Sequence, residues 1–252
     1  MDRPERILIT GGSSGIGAAL ARHYAATGVF LALTGRNEAR LLEVAEDCRA
    51  RGAEVLPRVI DVTDEAAMRD FILGLDDRAA LDLVIANAGI AIVPRPGLSL
   101  HDMTRETFAV NVTGVFNTVH PALERMKARG RGQIALMSSI AGFRGLPGAA
   151  PYSASKVAVK AYGEALRGTY WGRVAISVIC PGFVESPMTA KNNFPMPFLM
   201  KAERAARIVA RGLARNRGVI AFPWQTALAM RFLTLLPQRL SDWILRRAPR
   251  KE

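Results

Sequence analysis

Short apolar runs alternate along this chain with longer segments in which apolar residues recur every three or four positions. The short runs are typical of buried β-strands, and the periodic segments are typical of amphipathic α-helices. The predicted strands are Arg6–Thr10, Phe30–Thr34, Glu54–Asp61, Leu81–Asn87, Gln133–Ser138, Val174–Cys180 and Val219–Phe222. The predicted helices are Gly15–Ala26, Asn37–Arg51, Asp64–Leu75, Thr104–Arg129, Tyr152–Thr169 and Ala202–Arg215. This alternation is typical of βαβ units, so the pattern predicts an α/β fold with a seven-stranded parallel sheet and helices on both faces.

The segment 186–200 interrupts the regular pattern, because it holds three prolines and several large apolar residues. It follows the sixth predicted strand, and open parallel sheets bind ligands outside the carboxyl ends of their strands. We therefore expect residues 186–200 to form a mobile loop that covers a substrate. The alternative is an ordinary surface loop whose Phe194, Phe198 and Met200 pack into the core.

Residues 223–252 form a long tail after the seventh predicted strand, and this tail is both apolar and basic. Residues 191–252 hold 13 Lys or Arg and 3 Asp or Glu, which supplies +10 of the net charge of +12. Pro223 and Arg231 break any apolar run long enough to span a membrane. The composition favours a C-terminal helical lid that covers a hydrophobic substrate or lies on a membrane surface. Contact with an acyl carrier or another anionic partner is also open, as is plain exposure to solvent.

Length and composition limit the class of protein. A chain of 252 residues, half hydrophobic and 22% charged, is typical of a globular protein, and we expect residues 1–252 to form one domain. Cys48 and Cys180 lie in apolar stretches and the three histidines lie far apart, so neither a disulfide nor a metal site is expected. The N-terminus lacks a secretory apolar region, so the expected location is the cytoplasm. The basic region has no recognisable reading module, so no nucleic-acid partner is expected.

A glycine-rich turn joins the first predicted strand to the first predicted helix. Its backbone N–H groups and the helix dipole would face a phosphate, and its glycines would let a diphosphate come close. A glycine cluster alone is weak evidence, and its position after a strand is what strengthens it. The candidate cofactor-binding residues of this turn are Gly11, Ser13, Ser14, Gly15, Ile16 and Gly17.

The second predicted strand is followed by Arg36 and Asn37, where dinucleotide sites that prefer NAD usually carry a carboxylate. Arg36 would instead offer a fork of donors to a 2′-phosphate, which favours NADP(H) over NAD(H). The next two strands end on the same edge of the sheet and add further candidates for cofactor binding. These candidates are Asp61, Val62, Asn87, Ala88 and Gly89.

Tyr152 and Lys156 lie four residues apart at the start of a predicted helix, so their side chains share one face. Ser139 follows the fifth strand on the same edge of the sheet as the glycine turn, so its hydroxyl can approach the phenol of Tyr152. A phenol ordinarily titrates near pH ~10, and a neighbouring cation would help it to exchange protons near neutrality.

Taken together, these motifs resemble the short-chain dehydrogenase/reductase family. The resemblance rests on Thr10–Gly17, the Asn87-Ala88-Gly89 run, Asn111, Ser139, Tyr152-Ser-Ala-Ser-Lys156 and Pro181-Gly182, in that order from about Ile7 to Met188. The chain reads Phe183-Val184-Glu185-Ser186 where many relatives have Thr in a Val-x-Thr run, so Ser186 keeps a hydroxyl there. Beyond Met188 the family varies, and the resemblance does not extend to the substrate.

The resemblance implies a Rossmann fold and an oxidoreductase that moves a hydride between a nicotinamide cofactor and a ketone or secondary alcohol, and Arg36 is the residue that favours NADP(H) as that cofactor. It implies that Tyr152 is the acid or base, that Ser139 steadies the substrate oxygen and that Lys156 binds the nicotinamide ribose and lowers the tyrosine pKa. Asn111 would hold a water in a proton relay, and Tyr152, Lys156, Pro181, Gly182 and Val184 would also contact the cofactor. Relatives commonly form homodimers or homotetramers.

The apolar, basic tail leads us to expect a hydrophobic substrate, such as a 3-oxoacyl chain, a sphingoid-type ketone or a steroid-like ring. The alternative function is an NADP(H)-sensing regulatory protein without catalysis. Such proteins usually lose the tyrosine or the lysine, and this chain has both.

Overall fold

The computed structural model describes residues 3–94 and 96–247, and a seven-stranded parallel sheet lies at its centre. The strands are β1 Arg6–Thr10, β2 Phe30–Gly35, β3 Glu54–Val59, β4 Leu83–Ala86, β5 Gln133–Met137, β6 Ala175–Pro181 and β7 Val219–Phe222. The helices are α1 Gly15–Tyr24, α2 Glu38–Arg49, α3 Glu65–Arg78, α4 Leu100–Phe108, α5 Gly114–Arg129, α6 Ala150–Thr169, α7 Ala202–Ala214, α8 Trp224–Leu235 and α9 Gln238–Leu245. The strand order is β3-β2-β1-β4-β5-β6-β7. The predicted α/β fold with a seven-stranded parallel sheet is confirmed.

Apolar side chains bury both faces of the sheet. Helices α1, α2 and α7 pack on one face, and α3, α5 and α6 pack on the other. The central strands are buried on both sides, which is why they read as continuous apolar runs in the sequence. Cys48 and Cys180 are buried free thiols, as the apolar stretches around them predict.

The chain reverses its winding direction between β1 and β4, and this opens a crevice at the carboxyl ends of those strands. Hydrogen bonds fix the two strand ends there. The side-chain amide of Asn87 donates to the Thr10 carbonyl at 2.8 Å, and the Thr10 hydroxyl accepts the backbone N–H groups of Asn87 and Ala88 at 3.0 and 3.1 Å. These bonds tie the ends of β1 and β4 together at the crevice.

Several predicted boundaries were wrong by a few residues, and two of these differences have clear local reasons. β3 ends at Val59 and not at Asp61, because the Asp61 carboxylate turns the chain by accepting bonds from the backbone and hydroxyl of Thr63. The helix predicted from Thr104 begins at Leu100, where Ser99 caps it, and a π-helical turn over Ala109–Thr113 separates α4 from α5.

The tail after β7 folds as two helices that are separated at Pro237, which lacks the N–H that would continue α8. The predicted C-terminal helical tail is confirmed over its described residues, and residues 248–252 of that prediction lie outside them. No helix in residues 3–94 and 96–247 combines the length and the apolar character needed to cross a membrane.

The loop over residues 186–200 contains a single 3₁₀ turn at Thr189–Lys191. Met200 is buried and forms an isolated parallel bridge with Val184, whereas Phe198 is exposed. Phe194 makes an edge contact with Phe183 at 5.9 Å between ring centroids. The loop therefore packs into the core through Met200 and presents Phe198 to solvent.

Candidate active site

A cavity of about 890 Å³ opens at the carboxyl edge of the sheet, at the crevice between β1 and β4. The loops that follow β1 to β6 all contribute to its lining. Every predicted site residue lines this cavity except Gly17 and Asn111, which lie behind the lining. The structure thus brings together nearly all of the residues that the sequence singled out.

The glycine turn has no room for larger residues at two of its positions. Gly11 has a φ of +66°, and a Cβ there would lie 2.9 Å from the Cα of Ala88. A Cβ at Gly17 would lie 2.3 Å from the Gly11 carbonyl oxygen and 2.5 Å from the Asn87 amide nitrogen. Glycine at these positions lets the turn pack against the end of β4, so that its backbone forms one wall of the cavity.

The N-terminus of α1 is left without a side-chain cap. Ser14 occupies the N-cap position but its side chain makes no capping bond, and no acidic residue lies in the first turn. Free N–H groups and the positive end of the helix dipole therefore face the cavity beside Gly15 and Ile16, as a phosphate group requires. Nearby, Thr34 contributes to the lining of the same cavity, and its hydroxyl is buried without a hydrogen-bond partner. These features fit the diphosphate and ribose of a dinucleotide.

Positive charge gathers at the β2 and β3 end of the cavity. Arg36 is largely exposed and forms only a loose pair with Asp61, at 3.7 Å between Nη1 and Oδ2. Burial alone would raise the pKa of the Asp61 carboxyl, but hydrogen bonds from Thr63 and the nearby Arg36 guanidinium hold that pKa below its usual range. Asn37 caps α2 by accepting from the backbone N–H of Arg40 at 2.9 Å. Because exposed ion pairs of this kind contribute little, Arg36 can turn toward a ligand at little cost.

The hydroxyls of Ser139 and Tyr152 meet at the other end of the cavity. Ser139 follows β5 in extended backbone and caps a 3₁₀ turn over Ile140–Gly142, with its Oγ accepting the Ala141 N–H at 3.1 Å. Tyr152 lies in the first turn of α6, which begins two residues earlier than predicted. Burial raises the pKa of the Tyr152 phenol, and a hydrogen bond from the Ser139 side chain opposes part of that rise. The phenol is therefore protonated at neutral pH.

Lys156 lies one turn further along α6 and is only 3% exposed. Its ammonium donates to the Met137 carbonyl at 2.9 Å and lies 5.7 Å from the centroid of the Tyr152 ring. Burial lowers the pKa of Lys156 to about 8. A Cβ at Gly89 would lie 3.3 Å from this ammonium, so the absence of a side chain there leaves the space between the lysine and β4 open.

Asn111 occupies the π-helical turn, and its side chain is fully buried. Its amide nitrogen donates to the Ile90 carbonyl and to the Ser155 hydroxyl at 2.9 and 3.0 Å, and its oxygen accepts the Ile90 N–H at 2.8 Å. Both amide hydrogens are therefore already used. In this structure the side chain ties the segment after β4 to α6, which places Gly89 beside Lys156. π-helical turns are frequent at functional sites, and this one lies directly behind the cavity.

The burial of Lys156 allows a prediction of how the free energy of unfolding depends on pH when no ligand is bound. Its pKa is about 8 in the folded protein and near ~10.4 in an unfolded chain, so between these values the unfolded state binds more protons. We therefore expect the free energy of unfolding to rise between pH 8 and pH 10. Urea unfolding of the wild type and of Lys156→Met at several pH values measures this difference. A rise in the free energy of unfolding of the same size in both proteins would show that Lys156 does not cause this pH dependence.

Arg40 and Thr189 are two of the cavity residues that sequence reasoning did not single out. Arg40 lines the cavity together with Arg36, and the spacing of four residues between them was a readable signal. Thr189 also lines the cavity; its hydroxyl donates to the Val184 carbonyl at 2.8 Å and accepts the Ser186 N–H at 2.9 Å. Nothing in the local sequence distinguishes Thr189 from a loop threonine, because its contacts depend on how the loop folds back.

Comparison with known proteins agrees with this geometry. The family model for short chain dehydrogenase matches residues 5–196. The chain is 40% identical over 242 residues to an uncharacterised oxidoreductase of Myxococcus xanthus, with 95% of this chain and 96% of the relative covered. It is 30% identical over 262 residues to 11-beta-hydroxysteroid dehydrogenase 1A of Arabidopsis thaliana, with 94% and 73% covered.

Solved structures share the fold over the same length. A short-chain dehydrogenase/reductase from Burkholderia phymatum, crystallised in complex with NAD, superposes with a TM-score of 0.80 at 26% identity. The match covers 100% of this chain and 99% of that protein. The fold, the matched residues and the relatives agree, and the chain belongs to the short-chain dehydrogenase family.

Proposed function

We propose that this protein is an NADP(H)-dependent oxidoreductase that interconverts a ketone and a secondary alcohol. The observation that carries the proposal is that Ser139, Tyr152 and Lys156 line the same cavity as the glycine turn. A phosphate-binding turn at one end and a proton donor at the other suit a dinucleotide and a carbonyl that bind side by side.

The residues that would hold the dinucleotide follow from the geometry above. The uncapped N-terminus of α1 and the glycine turn would bind the diphosphate, and Asp61, Val62 and Asn87 to Gly89 would line the adenine and ribose positions. Lys156 would bind the nicotinamide ribose, with Pro181, Gly182 and Val184 beside the ring. A bound nicotinamide would supply or accept the hydride.

Tyr152 is the acid in the reductive direction. Its phenol is protonated at neutral pH, so it can give a proton to a substrate oxygen as negative charge develops there. The Ser139 hydroxyl would hold the same oxygen by a second hydrogen bond. Lys156, with a pKa of about 8, is mostly protonated at pH 7 and would stabilise the tyrosinate that remains. Asn111 ties Ile90 to Ser155 in α6 and would hold a water in the proton relay, as the resemblance implies.

The substrate side of the cavity supports a hydrophobic substrate. Apolar side chains from the β4 to α4 segment, from the loop before α6 and from the loop after β6 surround the space in front of Tyr152. They are Ile90, Ile92, Leu100, Met103, Leu146, Phe183, Met188 and Phe194. A 3-oxoacyl, sphingoid-type or steroid-like ketone would bury its apolar part there, and one relative is named as a hydroxysteroid dehydrogenase.

The test of the proposal is oxidation of NADPH and of NADH with a panel of short polar and long apolar ketones. Turnover with NADPH that favours apolar ketones supports the proposed function. Tight NADPH binding without turnover on any ketone would favour the alternative, a protein that senses NADP(H) without chemistry.

The proposed preference for NADP(H) predicts how replacement of Arg36 changes the KM for each cofactor. We expect Arg36→Ala to raise KM for NADPH about tenfold to a hundredfold, because a charge-assisted hydrogen bond to the 2′-phosphate contributes about 1.5–3 kcal/mol. KM for NADH should change little. Arg51→Ala is the matched control, since Arg51 is an exposed arginine just beyond the far end of α2. Equal losses with NADPH and NADH would refute the preference for NADP(H).

A further inference from the structure

Exposed apolar side chains are concentrated in the last fifth of the chain. In the parts of the chain that the structure describes, 13 large apolar side chains are exposed, and eight of them lie between Phe198 and Trp243. Six of the eight belong to the tail helices, and we call these six the tail stripe: Trp224, Leu228, Phe232, Leu235, Leu240 and Trp243. A protein surface does not normally gather this many large apolar residues unless the surface binds something.

Four of the six residues of the tail stripe follow the helical repeat of α8. Trp224, Leu228, Phe232 and Leu235 are spaced by four, four and three residues, so all four lie on one face of the helix. The opposite face packs on the protein through Ala227 and Met230, which are buried. Trp224 is 69% exposed and Leu235 is 81% exposed. The apolar residues therefore protrude from the surface and do not line a groove.

The tail helices are held firmly against the rest of the protein. Arg144, in the loop after β5, donates to the side chains of Gln238 and Ser241 in α9. Ser241 and Leu245 are buried. At the start of α8, a Cβ on Gly182 would lie 3.0 Å from Pro223, so this end of the tail packs closely against the cavity wall. The exposed stripe is thus presented by anchored helices.

Basic side chains flank the stripe. Between Pro223 and Arg247 the sequence has four arginines and one carboxylate, Asp242. Arg247 stacks on the Trp243 ring at 3.8 Å, and Arg231 lies 5.6 Å from the ring of Phe143. The guanidinium of Arg247 thus lies directly over an exposed ring of the stripe, at the level where phosphate groups of a bilayer would lie.

We propose that the tail stripe binds the surface of an anionic lipid bilayer. Trp224, Phe232 and Trp243 enter the region between headgroups and acyl chains, and the flanking arginines contact lipid phosphates. A protruding stripe needs no complementary groove in its partner, and a bilayer offers none. A second copy of the chain would bring arginines against arginines across a two-fold axis, which is unfavourable. The binding does not depend on the proposed enzymatic activity.

Vesicle binding by the full chain tests the proposal, and tryptophan fluorescence can report it. The three tryptophans are Trp171, Trp224 and Trp243. In the Trp171→Phe variant, all tryptophan fluorescence therefore comes from the tail helices. We expect this protein to sediment with phosphatidylglycerol vesicles, with a blue shift of its emission, and to bind phosphatidylcholine vesicles at least about tenfold more weakly. High salt should weaken the binding because part of it is electrostatic.

Substitutions in the tail stripe distinguish vesicle binding through the stripe from non-specific hydrophobic adsorption. Leu228→Ser, Phe232→Ser and Leu235→Ser combined should reduce vesicle affinity at least about tenfold, whereas the matched Leu42→Ser and Val59→Ser pair, also exposed, should not. Circular dichroism and NADPH binding verify that each variant folds. Absence of binding to anionic vesicles, or equal binding by the triple variant, overturns the proposal. The proposal is also overturned if the wild type self-associates and never binds vesicles, while the triple variant does not self-associate. The tail stripe would then be an interface with a second copy of the chain.

Discussion

Replacement of Tyr152 by Phe is expected to lower kcat/KM for ketone reduction by about a thousandfold. The variant keeps the aromatic ring in its partly buried site and removes only the hydroxyl that we propose as the proton donor. General acid catalysis by a positioned side chain typically contributes a factor of about 10² to 10⁴. Because the phenol pKa is raised by burial, the wild type carries this proton throughout the neutral range. Initial rates with saturating NADPH and the best ketone of the panel measure the loss.

The matched control is Tyr162→Phe on the same helix. The Tyr162 hydroxyl bonds to the His120 ring at 2.8 Å on the outer surface of α5 and α6, away from the cavity. We expect this variant to keep nearly full activity. NADPH affinity should be close to the wild-type value in both variants. A Tyr152→Phe enzyme that retains most of its kcat would show that another group gives the proton, and the assignment of Tyr152 would then be wrong.

The sequence was sufficient to predict the sheet and most of the cavity lining. Each strand is a run of apolar residues bounded by turn residues, and parallel strands place their carboxyl ends on one edge. Residues at those ends, such as Gly11, Arg36 and Ser139, therefore had to converge once the strands were correctly identified. This reasoning needs only local patterns and the topology, and both are readable from one chain.

Contacts between distant segments could not be predicted in the same way. The π-helical turn around Asn111 looks like ordinary helix in the sequence, because its cause is a set of hydrogen bonds to Ile90 and Ser155. The water that the resemblance assigns to Asn111 stays a prediction, and the bonds of its side-chain amide to Ile90 and Ser155 were not readable from the sequence. The contacts of Thr189 likewise exist only after the loop has folded back toward β6.

The C-terminal tail shows a second limit of prediction from sequence. Its apolar and basic composition predicted a helical lid, but composition does not say which face of a helix packs inward. Ala227 and Met230 are the residues that α8 buries, and the larger Trp224 and Phe232 are left outside. Ala227 and Met230 are less bulky than the two aromatic residues, and α8 packs closely against the neighbouring 3₁₀ turn and β7, so packing space as well as hydrophobicity decides which face is exposed.

The glycine turn gives the second large expected effect, on stability. We expect Gly17→Ala to destabilise the folded protein by about 3 kcal/mol and to abolish measurable NADPH binding. The added methyl group would lie 2.3 Å from a backbone oxygen of Gly11 and 2.5 Å from the Asn87 amide, and neither atom can move freely. Overpacking typically costs about 1–3 kcal/mol, and displacement of Asn87 also breaks its bond to Thr10. Urea unfolding and NADPH titration measure the two effects.

Gly74→Ala provides the matched control, and its expected effect has the opposite sign. Gly74 lies inside α3, and a Cβ there would meet nothing within 4 Å. Alanine at an unstrained helical position is more stable than glycine by about 0.5–1 kcal/mol, so this variant should unfold at slightly higher urea concentration and bind NADPH normally. If Gly17→Ala were instead as stable as Gly74→Ala, the glycine turn would have to accommodate the added methyl group without loss of stability. The close packing of the glycine turn against β4 would then not be what holds the cofactor site in shape.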